Sequence, residues 1–247
     1  VTMHNRLCKL PKGNEELVSY VKDDIYPTLT KILAIRDEET VIARIPLSEA
    51  LVNFILGLDH DDIVNLLPGI LTKICQILRS KASELRDAVR SNLAKITNNV
   101  GAKYLYFIIK ELKSALQRGS QVHVLGYTVH YIIRSIFERL EHGDLDESAS
   151  LIVAVIMEDI FGSTGQEKES DNYHTKMIEV KVNHSYDTGE VLSSNISLTS
   201  FDEILSPVKA LLSEHINLKT QKKLEELLRR YALGINHNEV CKTHDIL

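Results

Sequence analysis

Apolar positions recur at helical spacing along nearly the whole chain. Ile63, Leu67, Ile70, Ile74 and Ile77 step by four, three, four and three residues, and Val122, Leu125, Val129, Ile132, Ile136 and Leu140 form a second stripe of the same kind. A half-buried strand would alternate with period two, and these do not. The same pattern predicts helices near 14–33, 40–58, 84–99, 102–117, 144–161, 201–215 and 219–234. Short breaks separate them at Arg36-Asp37-Glu38, Leu58-Asp59-His60, Ser80-Lys81, Val100-Gly101 and Gln117-Arg118-Gly119. Gly101 and Gly119 follow periodic segments and suit the left-handed helix C-cap. Asp59, Asp61, Asp62, Asp144 and Asp146 stand where a helix N-terminus wants acceptors and negative charge.

The pattern also repeats. Ile25-Tyr26-Pro27-Thr28-Leu29-Thr30-Lys31-Ile32-Leu33 resembles Leu66-Leu67-Pro68-Gly69-Ile70-Leu71-Thr72-Lys73-Ile74, and Leu205-Ser206-Pro207-Val208-Lys209-Ala210-Leu211 reads as a third copy. A proline within a helix removes one backbone donor and kinks it. Kinked first helices, straight second helices and a repeat near 40 residues predict HEAT-type pairs. Val89-Arg90 followed by apolar positions fits the second helix of such a pair. The expected fold is therefore all-α, a HEAT-like α-solenoid segment, with an irregular helical bundle as the plainer alternative. The expected division is helical repeats over 1–161 in about four pairs, a loop insertion over 162–195, a further repeat over 196–236 and a tail over 237–247. The insertion is read as a loop because 162–195 is rich in Ser, Thr, Asn, Glu and Gly, with only Tyr173 to Val182 amphipathic.

Composition narrows the function classes. Hydrophobic residues are 44% and charged residues 26% of the 247, too apolar for a disordered chain. Eleven glycines and five prolines leave little turn chemistry for a sandwich or barrel. The longest purely apolar run, Leu151 to Met157, is far shorter than a bilayer span of roughly 20 residues. Three widely spaced cysteines, Cys8, Cys75 and Cys241, suit a reducing compartment. The first residue is Val, which suggests a piece of a longer polypeptide.

A net charge of −5 excludes a globally basic coat, but the charge is uneven. From Arg79 to Arg118 the balance is +6; from Glu141 to Glu203 it is −11. A dense basic stretch can neutralise phosphates without reading sequence. The candidate RNA contacts are Arg86, Arg90, Lys95, Lys103, Lys110, Lys113 and Arg118, joined by Lys222, Lys223, Arg229 and Arg230. The plain alternative is a solvated helix face, with Lys222, Lys223 and Glu226 in ordinary surface pairing.

Motifs of catalysis and cofactor binding do not occur. No phosphate-cradling glycine loop, His-Glu-x-x-His or Gly-x-Ser-x-Gly is found. His123 and His130 lie two turns apart on one helix and form a polar strip with Tyr127 and Tyr131; packing is the expected role, since no carboxylate or Cys joins them at ligand spacing. His237, Cys241 and His244 could supply three ligands, without an evident fourth. The expectation is no catalytic residue, no cofactor and no metal.

A family resemblance goes further than the residues alone. Leu85-Arg86-Asp87-Ala88-Val89-Arg90-Ser91-Asn92-Leu93-Ala94-Lys95-Ile96 leads into Gly101-Ala102-Lys103-Tyr104-Leu105-Tyr106-Phe107-Ile108-Ile109-Lys110-Glu111-Leu112. Then come Leu116-Gln117-Arg118-Gly119, Val122-His123-Val124-Leu125, Thr128-Val129-His130, Gly143-Asp144-Leu145-Asp146, Ser185-Tyr186-Asp187 and Glu190-Val191-Leu192. This stretch resembles the large HEAT-repeat protein of the small-subunit processome, the "down-regulated in metastasis" family, which associates with the U-three small nucleolar ribonucleoprotein. The resemblance is most specific over about 84–192. It implies a non-enzymatic nucleolar scaffold in small-subunit pre-ribosome assembly. It implies as partners other processome proteins and precursor rRNA or small nucleolar RNA, with no membrane and no small-molecule substrate. A HEAT-repeat nuclear transport receptor or other protein-interaction scaffold is the alternative, because such carriers often have acidic surfaces like 141–203.

Overall fold

In a computed structural model of the chain, residues 15–35, 37, 39–168, 177–238 and 240 are described. Among these residues every regular element is helical. They divide into two compact units, one ending at Ala115 and the other starting at Leu116.

In the first unit, α1 runs through Glu15–Tyr20, a π turn at Val21–Ile25, and Tyr26–Leu33. The π turn lies just before Pro27, whose missing N–H cannot bond back to the preceding turn. Next come α2 (Val41–Ile55), α3 (His60–Ile77), α4 (Ser83–Val100), a tight turn at Ala102–Tyr104, and α5 (Leu105–Ala115). Helices α1, α3 and α5 pack in one layer and α2 and α4 in a second, with chain neighbours paired across the layers. This is the two-layer stacking of helical repeats. The apolar stripes meet between the layers, where Leu51, Ile55, Leu67, Ile70, Leu71, Leu93, Ile96 and Ile108 are fully buried.

The repeat is also written in polar contacts. Lys22 reaches Asp62 at 2.7 Å, Tyr26 donates to the Leu66 carbonyl at 2.9 Å, and Ser48 donates to Asn92 at 2.6 Å. Thr72 donates to Glu111 at 2.7 Å. Their sequence separations are 40, 40, 44 and 39 residues, one repeat in each case. Pro27 and Pro68 mark equivalent turns, and Gly69 leaves room for the stacked Tyr26. A Cβ on Gly69 would lie 2.5 Å from the Tyr26 hydroxyl.

In the second unit, α6 is Ser120–Ile136 and α7 is Ala149–Phe161. The short α8 (Ser163–Lys168) and α9 (Ile178–Lys181) precede α10 (Ser185–Asn195), α11 (Phe201–Leu212) and α12 (Leu218–His237). The expected loop over 162–195 thus contains α10, the closest packing partner of α12. Its small residues explain both the misreading and the packing. A Cβ on Gly189 would meet the Tyr231 ring at 2.9 Å, and one on Gly234 would meet Ser193 Oγ at 2.0 Å. Gly and Ser lower helix propensity, yet here they let two helices approach closely. The amphipathic piece from Tyr173 falls outside the described residues up to 176. The segment Asp146–Gln166 is long and apolar enough to cross a bilayer by length and composition, but 56% of its most apolar window is buried among other helices.

The expected caps differ in detail. Gly101 (φ 77°) closes α4, whereas Gly119 (φ 52°) stands before α6 as its N-cap. Asp59 precedes α3 in extended conformation without a side-chain cap bond. Asp146 instead accepts from Ser197, on the backbone N–H at 2.9 Å and on the hydroxyl.

Candidate nucleic-acid interface and a histidine–carboxylate cluster

The fold sorts the basic stretch of the first unit by burial. Arg86 and Arg90 are each only 2% exposed. Arg86 donates to the Ser80 and Lys81 carbonyls at 3.0 and 2.9 Å, closing the turn before α4, and Arg90 pairs with Asp87. Guanidinium groups so buried hold their own chain and do not present to a phosphate, so these two leave the candidate interface. Arg79 similarly caps α5 by donating to the Ala115 carbonyl at 2.7 Å.

Of the candidate lysines in this unit, Lys95, Lys103 and Lys110 are exposed and Lys113 is half-buried. Lys95 lies on the outward stripe of α4 with Glu84, Asp87, Ser91 and Asn99, all exposed. Lys103, Lys110 and Lys113 belong to the α5 segment, in the other layer. The Lys103 ammonium sits 5.4 Å from the Tyr104 ring centre and that of Lys110 5.7 Å from the Tyr106 ring. Tyr106 and Phe107 meet edge to face at 5.7 Å and are half-buried. Lysines interleaved with aromatic rings suit single-stranded nucleic acid, whose phosphates take the charge and whose bases can stack. Burial pulls the Lys113 ammonium below the usual lysine range.

In the second unit Arg118 and Lys222 are exposed. Lys223 donates to the Ile160 carbonyl at 2.8 Å, tying α12 to the end of α7. Arg229 is paired with Glu226 at 2.6 Å, and Arg230 reaches Glu226, Glu190 and Asp187 at 3.0, 2.8 and 3.0 Å. The two guanidiniums hold the Glu226 carboxyl at about 2, well below the carboxylate range. Lys223 and Arg230 therefore work first as ties between helices, and Arg229 pairs within α12.

The second unit also has a polar interior. His123 is fully buried on α6, and Asp159 on α7 is 2% exposed and accepts from Ser185 at 2.6 Å. Asp159 lies against Gly126, where a Cβ would come within 3.1 Å of its carboxyl carbon. One turn further along α6, the His130 ring stacks on that of His184, 4.4 Å between centres and 6° between planes. Asp187 stands beside them, and the three offer ligand atoms within 4.8 Å of one another. Burial, the neighbouring His184 and Arg134 lower His130 to about 4, against a smaller opposing pull from Asp187. The sequence reading missed this cluster because His184 and Asp187 lie in the stretch read as a loop, more than 50 residues from His130. The proximity of Ser-Tyr-Asp to an N-cap position was the available signal. The alternative trio His237, Cys241 and His244 is described only at His237, which is exposed; Cys8, Cys241 and His244 lie outside the described residues. Cys75 is buried, and its burial raises the thiol well above its ordinary range. A cleft of about 630 Å³ lies in the same unit, lined in part by Arg134, Phe137, His142, Glu190 and His237.

Residues 35–247 match the family described as the U3 small nucleolar RNA-associated protein 20 domain. The chain belongs to this family. It is 60% identical over 241 residues to U3 small nucleolar RNA-associated protein 20 of Saccharomyces cerevisiae, covering 98% of this chain and 10% of that protein. It is 39% identical over 227 residues to the protein of the same name in Schizosaccharomyces pombe, covering 92% of this chain and 9% of that one. The chain thus spans about a tenth of the length of the curated relatives it matches. The resemblance drawn from the central motifs therefore extends well beyond 84–192, to nearly the whole sequence.

Proposed function

We propose that this chain is a non-enzymatic scaffold segment in small-subunit (90S) pre-ribosome assembly. In this reading it supports precursor rRNA processing in the nucleolus through protein and RNA contacts. Its partners are other processome proteins and precursor rRNA or small nucleolar RNA. Cofactors, a membrane and a small-molecule substrate have no part in it. Family membership is the observation that carries the reading, because the relatives are named for association with the U3 small nucleolar RNA. The stacked helices support it by offering long outward faces. The RNA contacts are assigned to Lys95, Lys103, Lys110 and Lys113 in the first unit, and to Arg118 and Lys222 in the second. The test is depletion of the parent protein, replacement with a version lacking this segment, and analysis of precursor rRNA. Accumulation of unprocessed small-subunit precursor is expected. Unchanged processing, with the protein absent from the nucleolus, would overturn the reading.

A further inference from the structure

We propose that His130, His184 and Asp187 form a zinc site that clasps α6 to α10. The three groups come from two elements: His130 from the middle of α6, His184 from the N-cap of α10 and Asp187 from its first turn. All three are partly accessible, so an ion can enter. Two imidazole nitrogens and one carboxylate oxygen form a donor set that favours zinc over magnesium or calcium, which prefer oxygen alone.

Hydrogen bonding presets the ligand atoms. Thr188 Oγ1 donates its one proton to the His184 carbonyl at 3.0 Å. The same oxygen lies 3.0 Å from His130 Nδ1 and can therefore only accept there. That places the His130 proton on Nδ1 and the lone pair on Nε2, free for a metal. Outer-sphere partners of this kind fix the tautomer of metal-bound histidines. His184 Nδ1 and Asp187 Oδ2 are 3.4 Å apart. That is longer than a good N–H···O bond, roughly 2.7–3.2 Å. It is close to the ligand–ligand edge of a zinc tetrahedron, about 3.3 Å for bonds of about 2.05 Å. The other oxygen of Asp187 is held by Arg230 at 3.0 Å, which orients the carboxylate. Arg230 also binds Glu190 and Glu226, so its charge is already shared among three carboxylates. Because the rings stack nearly parallel, their in-plane lone pairs do not meet at one point, and binding requires the partly exposed His184 ring to turn. Water would take the fourth position.

Zinc titration of the 247-residue chain against a chromophoric chelator tests this, with cobalt(II) as a spectroscopic substitute. One equivalent of zinc should bind. His130→Ala, His184→Ala and Asp187→Asn should each weaken binding at least ten-fold, and Cys241→Ser and His244→Ala should not. The cobalt spectrum should be tetrahedral without a thiolate charge-transfer band. Zinc should raise the melting temperature of the parent but not of His184→Ala, since only a ligand of the folded state stabilises it. Melting each variant without zinc measures what its lost contacts cost the fold, and a variant that still melts cooperatively but no longer gains stability from zinc separates lost ligation from lost folding. Failure to bind zinc stoichiometrically, full binding by His184→Ala, or loss of binding with Cys241→Ser would overturn the site.

Discussion

In the first unit, side-chain hydrogen bonds between neighbouring repeats join residues 36 to 50 apart, most of them 39 to 44. In the second, the corresponding ties join residues 26, 40, 45, 50, 58 and 63 apart, as at Ser185–Asp159, Arg230–Glu190, Asn238–Ser193, Leu145–Asn195, His130–Thr188 and Lys223–Ile160. Both units bury apolar stripes between helices. They differ in what fixes the register. Regular spacing lets each repeat of the first unit reuse one design, with a shared proline turn and large aliphatic residues at the interface. The second unit lacks that regular spacing, and small-residue contacts and buried polar groups add to its apolar packing. The lesson is that helices can pack closely where no periodicity is legible in the sequence.

The sharpest break between the units is a core deletion in the first. Leu67 is fully buried on α3. Leu67→Ala should cost about 2–5 kcal/mol, measured by chemical denaturation, because its neighbours cannot collapse onto the cavity. Gly234→Ala should break the second unit differently, by overpacking, at about 1–3 kcal/mol. Its new methyl would press on the Glu190 carbonyl 2.2 Å away, and backbone cannot swing aside. If Gly234→Ala is neutral, the close approach of α10 and α12 is wrong. Ser48→Ala should cost about 1–2 kcal/mol, since it strips a buried Asn92 oxygen of its donor. The smallest effect is expected at Glu226. Its carboxyl is held at about 2 in the fold against 4.5 ordinarily. Because the folded value is depressed, its stabilisation is present above pH 4.5 and is lost as pH falls from 4.5 toward 2. The group is 37% exposed, so screening keeps the effect well under ~1 kcal/mol. Glu226→Gln should flatten that acid limb of a pH-dependent melt and leave neutral stability nearly unchanged.

Legibility cut across that division. The stripes Ile63 to Ile77 and Val122 to Ile136 became α3 and α6, because large aliphatic residues at helical spacing have one economical way to be buried. The stretch containing α10 was unreadable because Gly189, Ser193 and Ser194 carry little helix propensity; their value appears only when Tyr231 and Gly234 lie against them. Charge was legible as a total and not as a surface. Arg86, Arg90, Lys223, Arg229 and Arg230 counted toward basic stretches, yet each is tied to its own chain. Lys103 and Lys110 kept their candidacy because neighbouring rings hold them at the surface. The His130 cluster needed a contact 58 residues long, which no local pattern announces.

The central claim, a scaffold segment that touches RNA through its exposed lysines, is tested most directly by in-cell crosslinking with sequencing of the attached RNA, comparing two charge-reversed proteins. One carries Lys95→Glu, Lys103→Glu and Lys113→Glu; the other carries Arg229→Glu in the second unit. The first should lose most crosslinks assigned to this segment, and its RNA binding in vitro should show a salt slope smaller by about 2, at about 0.7 per phosphate contact. The second should crosslink like the parent. Equal crosslinking by all three proteins would contradict the account and leave the lysine faces to solvent or to protein partners.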